Sequence, residues 1–251
     1  MKKLIILVIA FSMTLASCKN ELKSISISQT SVEMKYDGKV QLEVLCSPSD
    51  LEVPPELIWT SENEKVVTVN QFGLVSGNNI GETNIKVKTT DGKFEATCRV
   101  TITPKTILFK LPVIQLGKNR SFVKASESRV LRLEKEESLL YFSNSEYELG
   151  VLYLLAHEIL YNTIVFIENK PWLLDMANTY LDERFDYAGY NETEKATYYI
   201  VNEKVMALVT VDEVNDVILA AFLDNITEKS GSLQIPDSRV KLSANKSLNR
   251  I

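Results

Sequence analysis

The sequence is poor in the residue types that build metal centres and nucleophilic active sites. It has one histidine, His157, in 251 residues, so a site with two or more imidazole ligands, such as a His-x-x-x-His zinc site, is excluded. It also lacks a Gly-x-Ser-x-Gly segment and a glycine-rich phosphate-binding loop. Basic residues are outnumbered, with 28 Lys and Arg against 33 Asp and Glu, which argues against a nucleic-acid-binding protein. We therefore expect no catalytic site, no metal and no cofactor.

The remaining candidates for acid–base chemistry are weak. His157 and Glu158 begin like a zinc-protease motif, but Tyr161 stands where the second histidine would be needed. We expect His157 to lie in a turn between two strands. Three pairs of adjacent carboxylates could serve acid–base chemistry, but neighbours on one element usually point apart, so we expect these pairs on solvated faces. The pairs are Glu136-Glu137, Asp182-Glu183 and Asp212-Glu213.

Long apolar runs are also missing, since none reaches the roughly 20 residues of a transmembrane helix. The longest, Leu4–Phe11, follows two lysines and precedes small residues, which predicts a secretory signal peptide over residues 1–17.

The end of this leader resembles the lipobox of bacterial lipoproteins, carried by Leu15-Ala16-Ser17-Cys18. The resemblance implies cleavage before Cys18, acylation (palmitate) of its thiol and its new amino group, and a lipidated tether over residues 18–23. Several acyl chains hold a protein on a membrane durably, whereas one chain binds reversibly. Lys19 stands where an aspartate would resemble an inner-membrane retention signal, so the family rule implies the outer membrane. The periplasmic and cell-surface faces both stay open.

Residues 24–104 show short alternating runs separated by turn residues, which predicts a β-sandwich. Val40, Leu42 and Val44, for example, share one strand face. The turns contain residues that tolerate positive φ, as in Asp37-Gly38 and Asn70–Gly73.

Several spaced elements of this unit resemble the bacterial immunoglobulin-like group 2 domain (BIG2). They are Ile58–Asn63, Val66–Val69, Gly73–Gly77 and Gly81–Ile85. The resemblance implies an all-β immunoglobulin-like sandwich with Trp59 in its core. It also implies a stalk, spacer or adhesive module on a bacterial surface, without a shared catalytic residue.

Two cysteines of this unit, Cys46 and Cys98, lie in phase with the inward faces of their strands. After export they could form a disulfide, because the compartment is oxidising. They could equally be two buried free thiols that pack as small hydrophobic residues.

Beyond a linker over residues 105–117, residues 118–225 change to a mixture of helix-like and strand-like runs. The order of one helix and three strands occurs twice, which predicts an α+β domain with an antiparallel sheet, two helices and a possible internal duplication. The predicted helices are Lys118–Glu137 and Trp172–Phe185, and the predicted strands are Leu139–Phe142, Leu149–Ala156, Tyr161–Ile167, Ala196–Val201, Val205–Val211 and Val217–Phe222. Residues 226–251 are polar and are expected to form a tail.

The second domain holds two further signals. The run Leu181–Phe185 resembles an element in the C-terminal domains of uncharacterised Bacteroidetes lipoproteins, for which no activity is implied. Tyrosines are dense just after it and form a candidate interaction surface, although core packing explains them equally well. The candidates are Tyr187, Tyr190, Tyr198 and Tyr199.

Together these patterns predict a lipid-anchored protein of the outer membrane, in which the immunoglobulin-like spacer presents a non-catalytic interaction domain. Its expected partners are the membrane, through Cys18, and an envelope protein or glycan. An enzyme or enzyme inhibitor carried by the second domain is the alternative, and a purely structural spacer is a third.

Overall fold

A computed structural model describes residues 21–224 of the chain. The predicted signal peptide, the lipidation site Cys18 and the tail over residues 226–251 lie outside the described residues. Within residues 21–224 the chain is mostly β, and none of the helices there has the length and apolar character needed to span a bilayer.

The first unit is a sandwich of nine strands. They are β1 (Ser24–Ile27), β2 (Ser31–Lys35), β3 (Lys39–Gln41), β4 (Val44–Ser47), β5 (Leu57–Ser61), β6 (Val67–Val69), β7 (Leu74–Gly77), β8 (Gly81–Thr89) and β9 (Glu95–Thr103). They make a four-stranded sheet in the order β2-β9-β8-β5, a three-stranded sheet in the order β3-β7-β6, and the pair β1-β4. Alternate residues of the strands point inward, so Val67, Val75 and Val87 are fully buried in one core. The predicted immunoglobulin-like sandwich is confirmed.

The turn before β7 shows why one glycine is required. Gly73 has φ +80°, and a Cβ there would lie 2.8 Å from the Trp59 ring and 2.6 Å from the carbonyl oxygen of Leu42. Because only glycine fits this close approach, the turn lets the Trp59 indole pack into the core.

The two cysteines of this unit are free thiols, so the disulfide that the sequence left open is not formed in the structure. Cys98 is buried on β9 and Cys46 is half-buried on β4, and these strands belong to different sheets. Both pack with the apolar core. Burial raises the pKa of the Cys98 thiol, which makes its reactive thiolate scarce.

We therefore expect two reactive thiols per chain when the mature protein is denatured without reductant and titrated with a thiol reagent. The native protein should react more slowly, with Cys46 ahead of Cys98. Finding no free thiol in the denatured, unreduced protein would show that the bridge forms after all.

As far as residue 224, where the described part of the chain ends, the second unit contains two short helices and eight strands. They are α1 (Arg120–Ser126), β10 (Val130–Lys135), β11 (Ser138–Phe142), β12 (Glu148–Ala156), β13 (Ile159–Glu168), α2 (Pro171–Asp182), β14 (Asp186–Asn191), β15 (Ala196–Ile200), β16 (Val205–Asp212) and β17 (Val217–Asp224).

The helix predicted over Lys118–Glu137 is wrong in its second half. Asn119 caps α1, its side chain accepting a hydrogen bond from the Phe122 N–H at 2.9 Å, and the helix ends at Ser126. The following residues form β10, which pairs with β11.

All eight strands form one antiparallel sheet in the order β10-β11-β12-β13-β17-β16-β15-β14. Each half therefore contains one helix and four strands in sequence, and the last strands of the halves, β13 and β17, pair at the centre. The repeated order predicted from the sequence is present, with an additional edge strand in each half. Because the two helices are short, the sheet dominates this unit.

The sheet has apolar side chains on both faces. We call the face against which both helices pack the helix face, and its core includes Leu173 and Leu181 of α2 and Val123 of α1. The apolar cluster on the second face consists of strand residues, such as Ile164, Met206 and Leu219. Strands that bury both faces read as continuous apolar runs, which explains sequences such as that of β17.

Residues 105–117, predicted as a linker, are part of the core of the second unit. Leu108, Phe109 and Val113 are buried on the helix face, and the Phe109 ring lies 4.1 Å from that of Tyr180. Thr163 donates a hydrogen bond to the Val113 carbonyl at 2.8 Å. We call residues 105–117 the strap, because they are fastened across the helix face.

A buried charge network fastens the middle of the strap. Arg129 pairs with Glu127 at 2.7 Å and with Glu148, and it also donates to the Lys110 carbonyl of the strap. Tyr153 donates to Glu127, and its hydroxyl accepts the Val113 N–H at 3.1 Å. Burial acts to raise the pKa of Glu127, but the bond from Tyr153 and the Arg129 charge outweigh it and hold that pKa below its usual range.

Candidate functional site

The end of α2 forms the junction between the two units. Glu183, which follows the helix directly, is completely buried. Its carboxylate accepts the Lys105 N–H at 2.7 Å and the Thr106 N–H and hydroxyl at 3.1 Å, and it pairs with Arg184 at 3.1 Å. The expectation that the pair Asp182-Glu183 lies on a solvated face is therefore wrong for Glu183, because the first residues of the strap supply its partners.

Two further contacts cross the junction. The carbonyl oxygen of Glu183 accepts the N–H of Ile80, the residue just before β8, at 2.8 Å. Lys65 of the first unit lies 3.3 Å from Asp186 of β14. The backbone of one unit is thus hydrogen-bonded to the other, and the run Leu181–Phe185 serves as an interdomain joint.

A cleft of about 340 Å³ lies beside this joint. The first unit lines it with Tyr36, Glu64, Lys65, Asn78 and Asn79, and the second with Asp182, Phe185, Asp186 and Tyr187. Tyrosine rings next to amide and carboxylate groups suit a ligand that combines an apolar surface with hydrogen-bonding groups.

The charge in this cleft is mainly negative. Burial raises the pKa of the Asp182 carboxyl, and the nearby charge of Glu183 adds to the effect, whereas a hydrogen bond with Tyr199 opposes it. The pKa of the Tyr36 hydroxyl is also raised, mainly by burial and to a smaller extent by the negative charges of Asp182 and Asp37. The cleft therefore combines a partly buried carboxyl with a phenol that stays protonated.

The four candidate tyrosines do not form one surface. Tyr187 and Tyr190 on β14 are 62% and 50% exposed, whereas Tyr198 and Tyr199 on β15 are each 1% exposed. Successive side chains of a strand point to opposite faces, and both faces of this sheet are buried, so Tyr198 and Tyr199 lie in two different cores. Only Tyr187 and Tyr190 remain as candidates for an interaction surface.

His157 lies in the turn between β12 and β13, as the sequence predicts. It and Glu158 have φ of 49° and 68°, which is typical of a two-residue hairpin turn. Arg120 bonds to Glu158 at 2.7 Å, a contact that links α1 to this turn. Within residues 21–224, no three His, Cys, Asp or Glu side chains are grouped so that they could hold a metal ion.

Sequence reasoning missed the part of the cleft that the first unit supplies. Tyr36, Lys65 and Asn79 are isolated residues of loops and strand ends, and no local motif relates them to β14. The one usable signal was the run Leu181–Phe185, whose buried glutamate marks the joint.

No curated protein matches the sequence. Among solved structures, an intimin mutant of EHEC O157:H7 is 12% identical, with 49% of this chain and 87% of that chain covered and a TM-score of 0.28. Domains 5-6 of the S-layer protein SbsC are 15% identical, with 83% and 86% covered and a TM-score of 0.30. The S-layer protein rSbsC(31-844) is 13% identical, with 86% and 26% covered and a TM-score of 0.31. At these scores the likeness assigns no function to the chain.

The family comparison concerns the first unit. Its strands β1 to β9 span Ser24–Thr103. Residues 21–100 match the family described as the bacterial Ig-like domain (group 2).

Proposed function

We propose that this protein is a lipid-anchored component of the bacterial outer membrane, in which the Ig-like unit spaces and orients a non-catalytic interaction domain. The observation that carries the proposal is the buried joint at Glu183. A carboxylate that accepts two backbone N–H groups of the strap, together with the bond between Glu183 and Ile80, fixes the direction of the second unit relative to the first. The family match supports the spacer role, and the sequence before Lys19 supports the anchor.

The interaction site proposed for the second unit is the interdomain cleft together with the exposed face of β14. Tyr187 belongs to both, and Tyr190 extends the surface along the strand. Exposed tyrosines offer a large contact area at low entropic cost, which suits a protein or glycan partner.

An enzyme would need the cleft carboxylates free to act as acid and base. Instead, Asp186 is paired with Lys65 across the junction. This contact favours a binding role over the alternative of an enzyme carried by the second unit.

Membrane fractionation tests the anchor. The full-length wild type and the matched variant Cys46→Ala are expected in the outer-membrane fraction, whereas Cys18→Ala should lose that association, because no acyl chain can be attached. Cys46→Ala controls for the loss of a thiol. Retention of Cys18→Ala in the outer-membrane fraction at the wild-type level would refute lipid anchoring.

Protease treatment of intact cells then locates the second unit. Digestion on intact cells would place it at the surface and direct the search toward external proteins and glycans. Protection until the outer membrane is opened would place it in the periplasm and direct the search toward envelope components. Recovery of the whole protein from the cytoplasm would contradict the proposal.

A further inference from the structure

The eight-stranded sheet ends in two edge strands, β10 and β14, which occupy equivalent positions in the two halves. An edge strand presents unpaired N–H and C=O groups, to which another strand can add. Proteins usually protect such edges with charged side chains or covering elements. The two edges of this sheet differ in that protection.

The β10 edge is protected by charge and by α1. Its sequence contains Arg132, Glu134 and Lys135. Glu134 bonds to Lys124 of α1 at 2.8 Å, and Arg120 of the same helix donates to the Lys135 carbonyl at 3.0 Å. A second chain would have to displace these groups in order to pair with β10.

The β14 edge is less protected: the register shifts between Tyr187 and Gly189, and Lys65 of the first unit pairs with Asp186 at the start of the strand, but no helix of the described chain covers it. Between Asp186 and Asn191 the strand reads Tyr-Ala-Gly-Tyr, with no charged residue. Among residues 21–224, β14 pairs with β15 alone, and its outer side has no hydrogen bond to other backbone. Gly189 has open space beside it, since no heavy atom lies within 4 Å of the position of a Cβ.

The pairing of β14 with β15 places both exposed tyrosines on one face. The register shifts between Tyr187 and Gly189, so that Tyr187 lies opposite Tyr199 and Tyr190 opposite Thr197. Tyr199 belongs to the helix face, and Thr197, two residues away, shares it. Tyr187 and Tyr190 therefore both flank the helix face.

This strand is complementary to itself when two copies run antiparallel. A twofold axis between Ala188 and Gly189 sets each Tyr187 opposite the other copy's Tyr190, on the same face. It also sets Asp186 opposite Asn191, so no like charges face each other. Aromatic cross-strand pairs stabilise such sheets, and twofold dimers are the commonest protein assemblies.

We propose that a second copy of this chain adds to the sheet at β14, which joins the two eight-stranded sheets into one. Tyr187 and Tyr190 of both copies, four tyrosines in all, then cluster on the helix face of the joined sheet. The dimer also enlarges the candidate site, because Tyr187 lines the interdomain cleft and the other copy's Tyr190 lies next to it. The pairing rests on the geometry of β14 and does not require the lipid anchor.

Analytical ultracentrifugation of the chain from residue 18 onward, carrying Cys18→Ala, tests the association. We expect a concentration-dependent dimer, and Tyr190→Lys should raise its dissociation constant at least about tenfold, because it places a charge in the new pair. The matched variant Val130→Lys, at the exposed position of the other edge, should leave the dimer unchanged. Circular dichroism checks that both variants fold.

A crosslinking experiment tests the register and does not depend on the folding of a charged variant. Chains carrying Tyr187→Cys and chains carrying Tyr190→Cys, both with Cys18→Ala and Cys46→Ala, are mixed and mildly oxidised. We expect disulfide-linked dimers in the mixture and few in either variant alone, since the proposed register pairs position 187 with position 190. A monomer at all concentrations, a dimer sensitive to Val130→Lys alone, or equal crosslinking in the single variants would overturn the proposal.

Discussion

Replacing Arg129 by alanine is expected to lower the free energy of unfolding by about 3–5 kcal/mol, the typical cost of breaking a buried ion pair by removing one partner. The Arg129 side chain is 6% exposed, and its partners Glu127 and Glu148 are each 2% exposed. Without the guanidinium, two carboxylates would remain buried next to each other with no positive charge between them.

The effect should also reach the strap. Arg129 donates to the Lys110 carbonyl, and Tyr153 connects the same network to Val113. Urea denaturation followed by circular dichroism measures the loss of stability, and amide hydrogen exchange should show faster exchange in residues 105–117.

The matched control is Arg132→Ala, on the same strand region but exposed, with its guanidinium over the Phe142 ring at 5.2 Å. An exposed cation–π contact contributes about 0.5–1 kcal/mol, so this variant should lose no more than that. Equal losses for Arg129→Ala and Arg132→Ala would show that the network contributes little.

Replacing Glu183 by alanine is expected to cost about 3 kcal/mol and to loosen the orientation of the two units, because the start of the strap loses its acceptor while the backbone bond from Ile80 to residue 183 is kept. Hydrogen bonds to charged groups contribute about 1.5–3 kcal/mol each. The variant removes the shared acceptor of Lys105 and Thr106, and some of this loss is recovered because water can reach the exposed Lys105. Small-angle X-ray scattering should show a broader range of molecular dimensions than for the wild type.

Lys65→Ala is the control for this second prediction, because it removes an ion pair across the same junction. Lys65 and Asp186 are both exposed, and exposed pairs contribute about 0.2–1 kcal/mol. This variant should therefore keep the wild-type scattering profile. If Glu183→Ala kept that profile as well, the joint would not be what orients the two units.

Much of the fold could be predicted from the sequence, because alternation and turn residues are local signals. The turn at His157-Glu158 and the helix from Pro171 were identified in this way. The region of β10 was mistaken for a helix because Val130, Leu131 and Leu133 also fit helical spacing. Edge strands bury only part of their residues, so their apolar pattern is incomplete.

The candidate site was less predictable, because its partners are distant in sequence. Glu183 accepts hydrogen bonds from residues 77 and 78 positions before it. Apart from the run Leu181–Phe185 that contains it, nothing in the sequence distinguishes the pair Asp182-Glu183 from the other acidic pairs. Because Tyr198 and Tyr199 are neighbours on one strand, the sequence predicts that their side chains point to opposite faces of the sheet. It does not predict that both faces are covered, which is why both side chains are buried.

The strap also determines how the molecule would respond to mechanical force. If a membrane holds the N-terminal end and a partner pulls on β14, tension follows the covalent path from Thr103 into residues 105–117. A free linker would stretch under that load. Here extension would first have to pull Leu108 and Phe109 out of an apolar core and the backbone N–H groups away from Glu183. Under load the two units would therefore reorient together before residues 105–117 extended. A bound partner would be held at a nearly constant distance from the anchor.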